Sequence, residues 1–290
     1  MAPSTTTNNN NVWLITGCSS GFGRELALTA RKRGDLVIAT ARKVETLKGL
    51  QDLGCEALTL DVTADDATVN DIVAKAHAIY GRIDILVNNA GYTSNGAVEE
   101  ASSEETQQIF DTNVFGLLRV TRAVLPYMRE KKSGTIANIG SLAGYAPFPA
   151  FGLYCATKFA VAGVTQALRQ EVAGFGIDVT VVEPGLFQTN IVGAGSFFKK
   201  SIPEYAPLTD FFKELAENGI GAPSADPAKG AQAIVEALTH SGRGEGRALP
   251  NRLPLGGDVR DVVQNVLTTG QKELDEWKDF TDPKAFAFDA

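Results

Sequence analysis

The sequence predicts one α/β domain over residues 12–290, a doubly wound parallel sheet of seven strands in the order 3-2-1-4-5-6-7. Three observations predict it. From Val12 onward, short runs rich in Val, Ile and Leu alternate with longer stretches of helical period, the pattern of βαβ units. The short runs are continuously apolar, as strands are when helices cover both faces of their sheet. The chain is 290 residues long and 44% hydrophobic, enough for one substantial core without a second domain.

In chain order, the first strand is expected at Val12–Thr16 and its helix at Gly21–Arg33. The second strand is Leu36–Ala41 with a helix at Val44–Leu53, and the third is Ala57–Asp61 with a helix at Asp65–Tyr80. Ile85–Asn88 is the fourth, after which helical period is sustained from Ser103 to Glu130. Gly134–Ile139 and Asp178–Glu183 are the fifth and sixth, separated by a helix at Phe151–Ala173. A last, weaker strand is expected at Arg247–Leu249, between helices at Asp226–Leu238 and Val259–Trp277. The glycine- and proline-rich stretch 185–223 breaks this rhythm and reads as a mobile substrate lid or as an ordinary surface excursion. Residues 1–11 are rich in Ser, Thr and Asn and read as a disordered leader without the basic and apolar regions of a signal peptide. The charged, aromatic tail after Asp275 is an interface arm or a loosely packed end.

Composition excludes several functions. A formal charge of −7 disfavours nucleic acid and anionic membranes as partners, so an anionic ligand must be held locally. Three cysteines at unrelated spacings fit a reduced, cytoplasmic setting. With His77 and His240 the only histidines and no Cys/His cluster, neither a metal site nor a histidine-based triad is expected. No apolar run is long enough for a membrane span.

Between the first strand and its helix stands Thr16-Gly17-Cys18-Ser19-Ser20-Gly21-Phe22-Gly23. Glycines at 17, 21 and 23 give a pyrophosphate close backbone approach, free N–H donors and the positive end of a helix dipole, as in Rossmann folds. Spaced glycines are equally what a tight turn needs. The second strand ends Ala39-Thr40-Ala41-Arg42-Lys43, with no carboxylate to accept hydrogen bonds from an adenosine ribose. Arg42 is placed to clamp a 2′-phosphate through its planar, always-charged guanidinium, or is simply a solvated helix start.

Tyr154 and Lys158 are four residues apart, hence on one helix face. A tyrosine of pKa about 10 exchanges protons poorly at neutral pH, and an adjacent cation is expected to lower that value. A plain amphipathic helix would show the same spacing. Ser141 lies thirteen residues upstream at the end of the fifth strand, where its hydroxyl can polarise a substrate oxygen or satisfy the backbone. It has no Gly-x-Ser-x-Gly elbow and no histidine partner, which sets a serine hydrolase aside.

Taken together and in order, the Gly-x-x-x-Gly-x-Gly turn, Asp61-Val62, Asn88-Asn89-Ala90-Gly91, Asn113, Ser141, Tyr154-x-x-x-Lys158 and Pro184-Gly185-x-x-x-Thr189 resemble the short-chain dehydrogenase/reductase family. The likeness is to its non-extended branch, among steroid and retinol dehydrogenase-like and ketoreductase members. That resemblance implies an NADP(H)-dependent enzyme interconverting a carbonyl and a secondary alcohol. Tyr154, Lys158, Ser141 and Asn113 would be catalytic: Tyr154 moves the proton, Ser141 orients the oxygen, Lys158 grips the nicotinamide ribose, and Asn113 supports a water in a proton relay. The cofactor would lie on Gly17, Ser19, Ser20, Gly21, Phe22, Gly23, Arg42, Asp61, Val62, Asn89, Ala90, Gly91, Tyr154 and Lys158. Pro184, Gly185, Phe187 and Thr189 would hold its carboxamide end, and Ala41 stands where NAD-specific members carry Asp. Tyr92, Tyr145, Phe148, Phe151 and Phe187 are expected to face a bulky, hydrophobic carbonyl compound, or to be packing. A non-redox biosynthetic enzyme of the same fold and a cofactor-sensing protein are the competing readings. The family's habit implies a homodimer or homotetramer through helices Ser103–Glu130 and Phe151–Ala173.

Overall fold

The computed structural model describes residues 10–189, 191, 195–218 and 225–286. Seven parallel strands form one sheet in the order β3-β2-β1-β4-β6-β7-β9: β1 (Val12–Ile15), β2 (Leu36–Ala41), β3 (Glu56–Thr59), β4 (Ile85–Asn88), β6 (Gly134–Ile139), β7 (Ile177–Pro184) and β9 (Arg252–Leu255). This is the expected doubly wound order, its chain reversal falling between β1 and β4. A two-stranded parallel sheet of β5 (Ser94–Asn95) and β8 (Ser196–Phe197) lies outside it and has no strand-like run in the sequence.

Helices cover both faces because every strand of the sheet's centre is apolar on both sides. On β1, Trp13 and Ile15 join a core with α1 (Gly21–Arg33) and α8 (Pro227–Leu238), while Val12 and Leu14 join the opposite core with α3 (Asp66–Tyr80), α5 (Leu117–Lys131) and α6 (Gly152–Val172). All four are at most 1% exposed. The helices start and stop for local reasons: α1 ends at Gly34 and α3 at Gly81, both left-handed, and Asp65 caps the start of α3 by accepting from the Thr68 amide at 2.7 Å.

Several expectations are corrected. The Val44–Leu53 helix is a 3₁₀ turn (Val44–Leu47) and one α-turn, α2 (Lys48–Gln51). The sustained period from Ser103 is α4 (Ser103–Phe110) and α5, joined by a π-helical segment at Asp111–Gly116. The last strand is not Arg247–Leu249 but Arg252–Leu255. Pro250 has no N–H for a ladder, and pairing with Val181–Pro184 starts beyond it; Pro254 is tolerated because β9 is an edge strand. Within the expected lid, Ala206–Asn218 is a helix, α7, whose own apolar period was masked by the glycines and prolines around it. Residues 1–9 of the expected leader, and 190, 192–194 and 219–223 of the lid, lie outside the described residues. The C-terminal helix is α9 (Gly257–Glu276). Among the described residues no helix is long and apolar enough to cross a membrane.

Candidate active site

The carboxyl ends of β1, β2, β4, β6 and β7 bring the expected residues to one edge of the sheet, where open α/β folds bind ligands. Behind β1 the turn is shaped by absent side chains. A Cβ on Gly17, whose φ is +71°, would stand 2.9 Å from the Ala90 Cα, and one on Gly23 would stand 2.4 Å from the Gly17 carbonyl. Asn89 locks the turn from β4, donating from Nδ2 to the carbonyls of Thr16 (2.9 Å) and Gly17 (3.1 Å). In return the Thr16 hydroxyl accepts from the amides of Asn89 and Ala90 at 2.9 and 3.0 Å. Ser20 begins α1 without a side-chain cap, and both Ser19 and Ser20 are exposed. A glycine cradle at an uncapped helix N-terminus fits a pyrophosphate. Cys18, in the same turn, is wholly buried with its thiol pushed up to about 12, so it packs and does not react.

Around that cradle, Arg42 is exposed just past β2, and Ala41 beside it is buried. Asp61 is exposed and accepts from the Thr63 amide and hydroxyl at 3.0 and 2.8 Å, while Val62 is buried against Gly116 of the π segment. Thr189 sits over the turn, its Cβ 3.7 Å from where a Gly21 Cβ would be. Pro184-Gly185 is held by the Gly185 amide donating to the Leu255 carbonyl at 2.9 Å.

Ser141, Tyr154 and Lys158 converge at the end of β6 and the start of α6. Ser141 opens a 3₁₀ turn (Leu142–Gly144), its hydroxyl accepting from the Ala143 amide at 3.1 Å, and it also hydrogen-bonds the Tyr154 phenol. The Lys158 ammonium donates to the Ile139 carbonyl at 2.8 Å and stands 5.6 Å from the centre of the Tyr154 ring. Burial rules the electrostatics. It pushes the Tyr154 phenol up to about 12, with the Ser141 hydrogen bond opposing, and pulls the Lys158 ammonium down to about 8, with the Glu183 carboxylate opposing. The expected lowering of the tyrosine by the lysine is not seen: burial sets the phenol, and the Lys158 ammonium is turned toward the Ile139 carbonyl.

Asn113 is buried in the π segment and reaches both halves of the site. Its Oδ1 accepts from the Tyr92 amide at 3.0 Å, and its Nδ2 donates to the Tyr92 carbonyl at 2.9 Å and the Thr157 hydroxyl at 3.2 Å. The wider turn of a π segment, common at functional sites, is what aims it there.

The five aromatics expected to meet substrate separate into groups. Tyr92 and Phe151 pack on the cluster containing Tyr154, and Phe151 meets Phe212 of α7 edge-on at 5.2 Å. Phe148 is 40% exposed at the rim. Phe187 meets Phe22 of the glycine turn edge-on at 4.9 Å, beside Gly230, and the Tyr145 ring lies under the Arg252 guanidinium at 3.4 Å. Sequence reading missed Phe212, Glu183 and Arg252. The signal for Glu183 was present: it is a carboxylate directly after the mostly apolar run Val179–Val182, on a strand expected to be covered on both faces, where burial calls for a cation partner.

The family pattern described as short chain dehydrogenase matches residues 11–196. The oxidoreductase BOA17 of Botryotinia fuckeliana is 35% identical over 274 residues, covering 93% of this chain and 97% of its own. Among solved structures, a short-chain dehydrogenase from Streptomyces avermitilis is 42% identical with a TM-score of 0.86, covering 96% of this chain and 99% of its own. The closed form of a serine dehydrogenase complexed with NADP+ is 32% identical with a TM-score of 0.71, covering 84% and 93%. This chain belongs to the short chain dehydrogenase family of oxidoreductases.

Proposed function

We propose that the protein interconverts a carbonyl and a secondary alcohol on a bulky, hydrophobic substrate, using NADP(H). The observation that carries the reading is the convergence of Ser141, Tyr154 and Lys158, with Ser141 hydrogen-bonded to the phenol. The glycine cradle, Asn89, Asp61-Val62 and Pro184-Gly185-x-x-x-Thr189 are the residues that would hold the dinucleotide. NADP(H) over NAD(H) rests on Arg42 and on the apolar Ala41.

Bound nicotinamide supplies or accepts the hydride. In reduction Tyr154 gives its phenolic proton to the substrate oxygen as charge builds there, and Ser141 donates a hydrogen bond to the same oxygen. Burial keeps the phenol protonated at neutral pH, so the proton is in place, while the Ser141 hydrogen bond works against burial and eases its release. Lys158, charged below about pH 8, places a cation at the site and grips the nicotinamide ribose. Asn113 acts through Tyr92 and Thr157, steadying the loop and helix that frame the pocket and supporting the water of a proton relay. The apolar wall of Tyr92, Phe151 and Phe212 under α7 supports a bulky, hydrophobic substrate and a lid that covers it. Association as a homodimer or homotetramer through α4–α5 and α6 belongs to the same reading; Phe115 and Phe159 are 40% and 46% exposed on these segments, and sedimentation measures the outcome.

The test is to mix the protein with NADPH or NADH and a panel of bulky ketones and follow the absorbance of the reduced nicotinamide. Consumption that needs both ketone and Tyr154 supports the reading. Absence of dinucleotide binding contradicts it.

A further inference from the structure

Glu183 is fully buried at the end of β7, one residue before Pro184. Its partner Arg252 comes from β9, 69 residues away in sequence. The guanidinium donates to both carboxylate oxygens, from Nε to Oε2 at 2.8 Å and from one terminal nitrogen to Oε1, and that nitrogen also donates to the Gly144 carbonyl at 2.9 Å. Its flat face covers the Tyr145 ring at 3.4 Å. One cation thus ties together β7, β9 and the turn that Ser141 opens. The turn is fitted closely to this pair. A Cβ on Gly144 would stand 3.0 Å from the Lys158 carbonyl and 3.2 Å from the Glu183 Oε1.

Burying an ion pair in a core is costly, and apolar residues of similar volume commonly serve stability as well or better. Lys158 is held at the same strand ends: its ammonium donates to the Ile139 carbonyl at 2.8 Å, and a Cβ on the next residue, Gly140, would stand 3.0 Å from the Glu183 Cγ. We infer that Glu183 and Arg252 are positioning residues for the proposed chemistry: Arg252 holds the Ser141 turn, and Glu183 supplies a fixed negative charge that keeps Lys158 cationic. The inference rests on the roles proposed above for Ser141, Tyr154 and Lys158.

The titratable groups that feel the Glu183 charge come from three elements. They are Arg252 on β9, Lys158 on α6, and the Tyr145 phenol, which burial raises and Glu183 raises further. Burial alone drives Lys158 toward neutrality, and Glu183 opposes that drive. Removing the carboxylate therefore lowers the pH at which Lys158 loses its proton.

Glu183→Gln tests this, and the double substitution Glu183→Gln with Arg252→Met removes the unpaired guanidinium should the single variant not fold. Two quantities are read on the intact chain: the pH midpoint for acylation of Lys158, followed by peptide mass spectrometry, and the alkaline limb of NADPH-dependent ketone reduction. Both are expected to move down by about one pH unit in Glu183→Gln, the scale of one nearby charge in a buried site, and in the same direction but by less in the double variant, where the two opposite charges leave together. Unchanged midpoint and limb in variants that fold would overturn the inference and leave the pair purely structural. Because acylation needs no turnover, a moved midpoint where the wild type itself reduces no ketone would sink the proposed reaction while keeping the coupling of Glu183 to Lys158; an active wild type with a midpoint and limb unmoved in the variants would do the reverse.

Discussion

At the scale of single residues, burial is the strongest influence on the site. Lys158 is 6% exposed with its pKa lowered from 10.5 to about 8, so the unfolded chain holds that proton more tightly than the folded one. Stability therefore rises as pH climbs through that interval, and the strain is present in full below it. Lys158→Met is accordingly expected to abolish turnover yet stabilise the fold at pH 7 by about 1–2 kcal/mol, less than the shift alone implies because the Ile139 carbonyl loses its donor. Thermal unfolding measures it, and a lower melting temperature would contradict the account. In the wild type, ketone reduction should hold through neutral pH and fall above about 8 as Lys158 discharges, since Tyr154 stays protonated to about 12. Arg42→Ala should weaken NADPH by about tenfold and NADH hardly at all, the scale of a hydrogen bond to a charged group. Calorimetry with each dinucleotide decides this, and equal losses would remove Arg42 from its role. The meeting of Ser141, Tyr154 and Lys158 was legible because the order of motifs along the chain resembles a family in which those positions converge. Glu183 and Arg252 were not paired, because 69 residues separate them and only the sheet order makes them neighbours.

At the scale of elements, the turn from β1 into α1 is the least forgiving. Gly23→Ala would push a Cβ to 2.4 Å from the Gly17 carbonyl and 2.5 Å from the Asn89 Nδ2. Overpacking of this kind destabilises by about 1–3 kcal/mol, and the same shift would open the cradle. Lower stability together with lost dinucleotide binding is expected; intact binding would show that the cradle is not where the pyrophosphate sits. The π segment at Asp111–Gly116 makes a second case. The sequence carries an unbroken helical period there, and nothing in periodicity distinguishes a widened turn from a regular one. The tertiary bonds from Asn113 to Tyr92 and Thr157 reward the widening. In the same way β9 was misplaced by five residues because Pro254 argues against a strand everywhere except at a sheet edge.

At the scale of the whole molecule, the strand order was legible because continuous apolar runs and βα alternation leave few ways to cover both faces of one sheet. The substrate wall was less so, since Phe151 meets α7 through tertiary packing of Phe212, which no local pattern announces. Phe212→Ala should raise the KM for bulky ketones several-fold while sparing kcat, as loss of an apolar contact outside the chemistry does. The central claim joins both edges of the site, a dinucleotide on the cradle and a proton on Tyr154. Its most direct measurement is Tyr154→Phe, assayed for NADPH affinity and for ketone reduction in parallel. The account predicts NADPH affinity equal to the wild type and turnover reduced by about a thousandfold, within the range a general acid contributes. Retained turnover in that variant would contradict it.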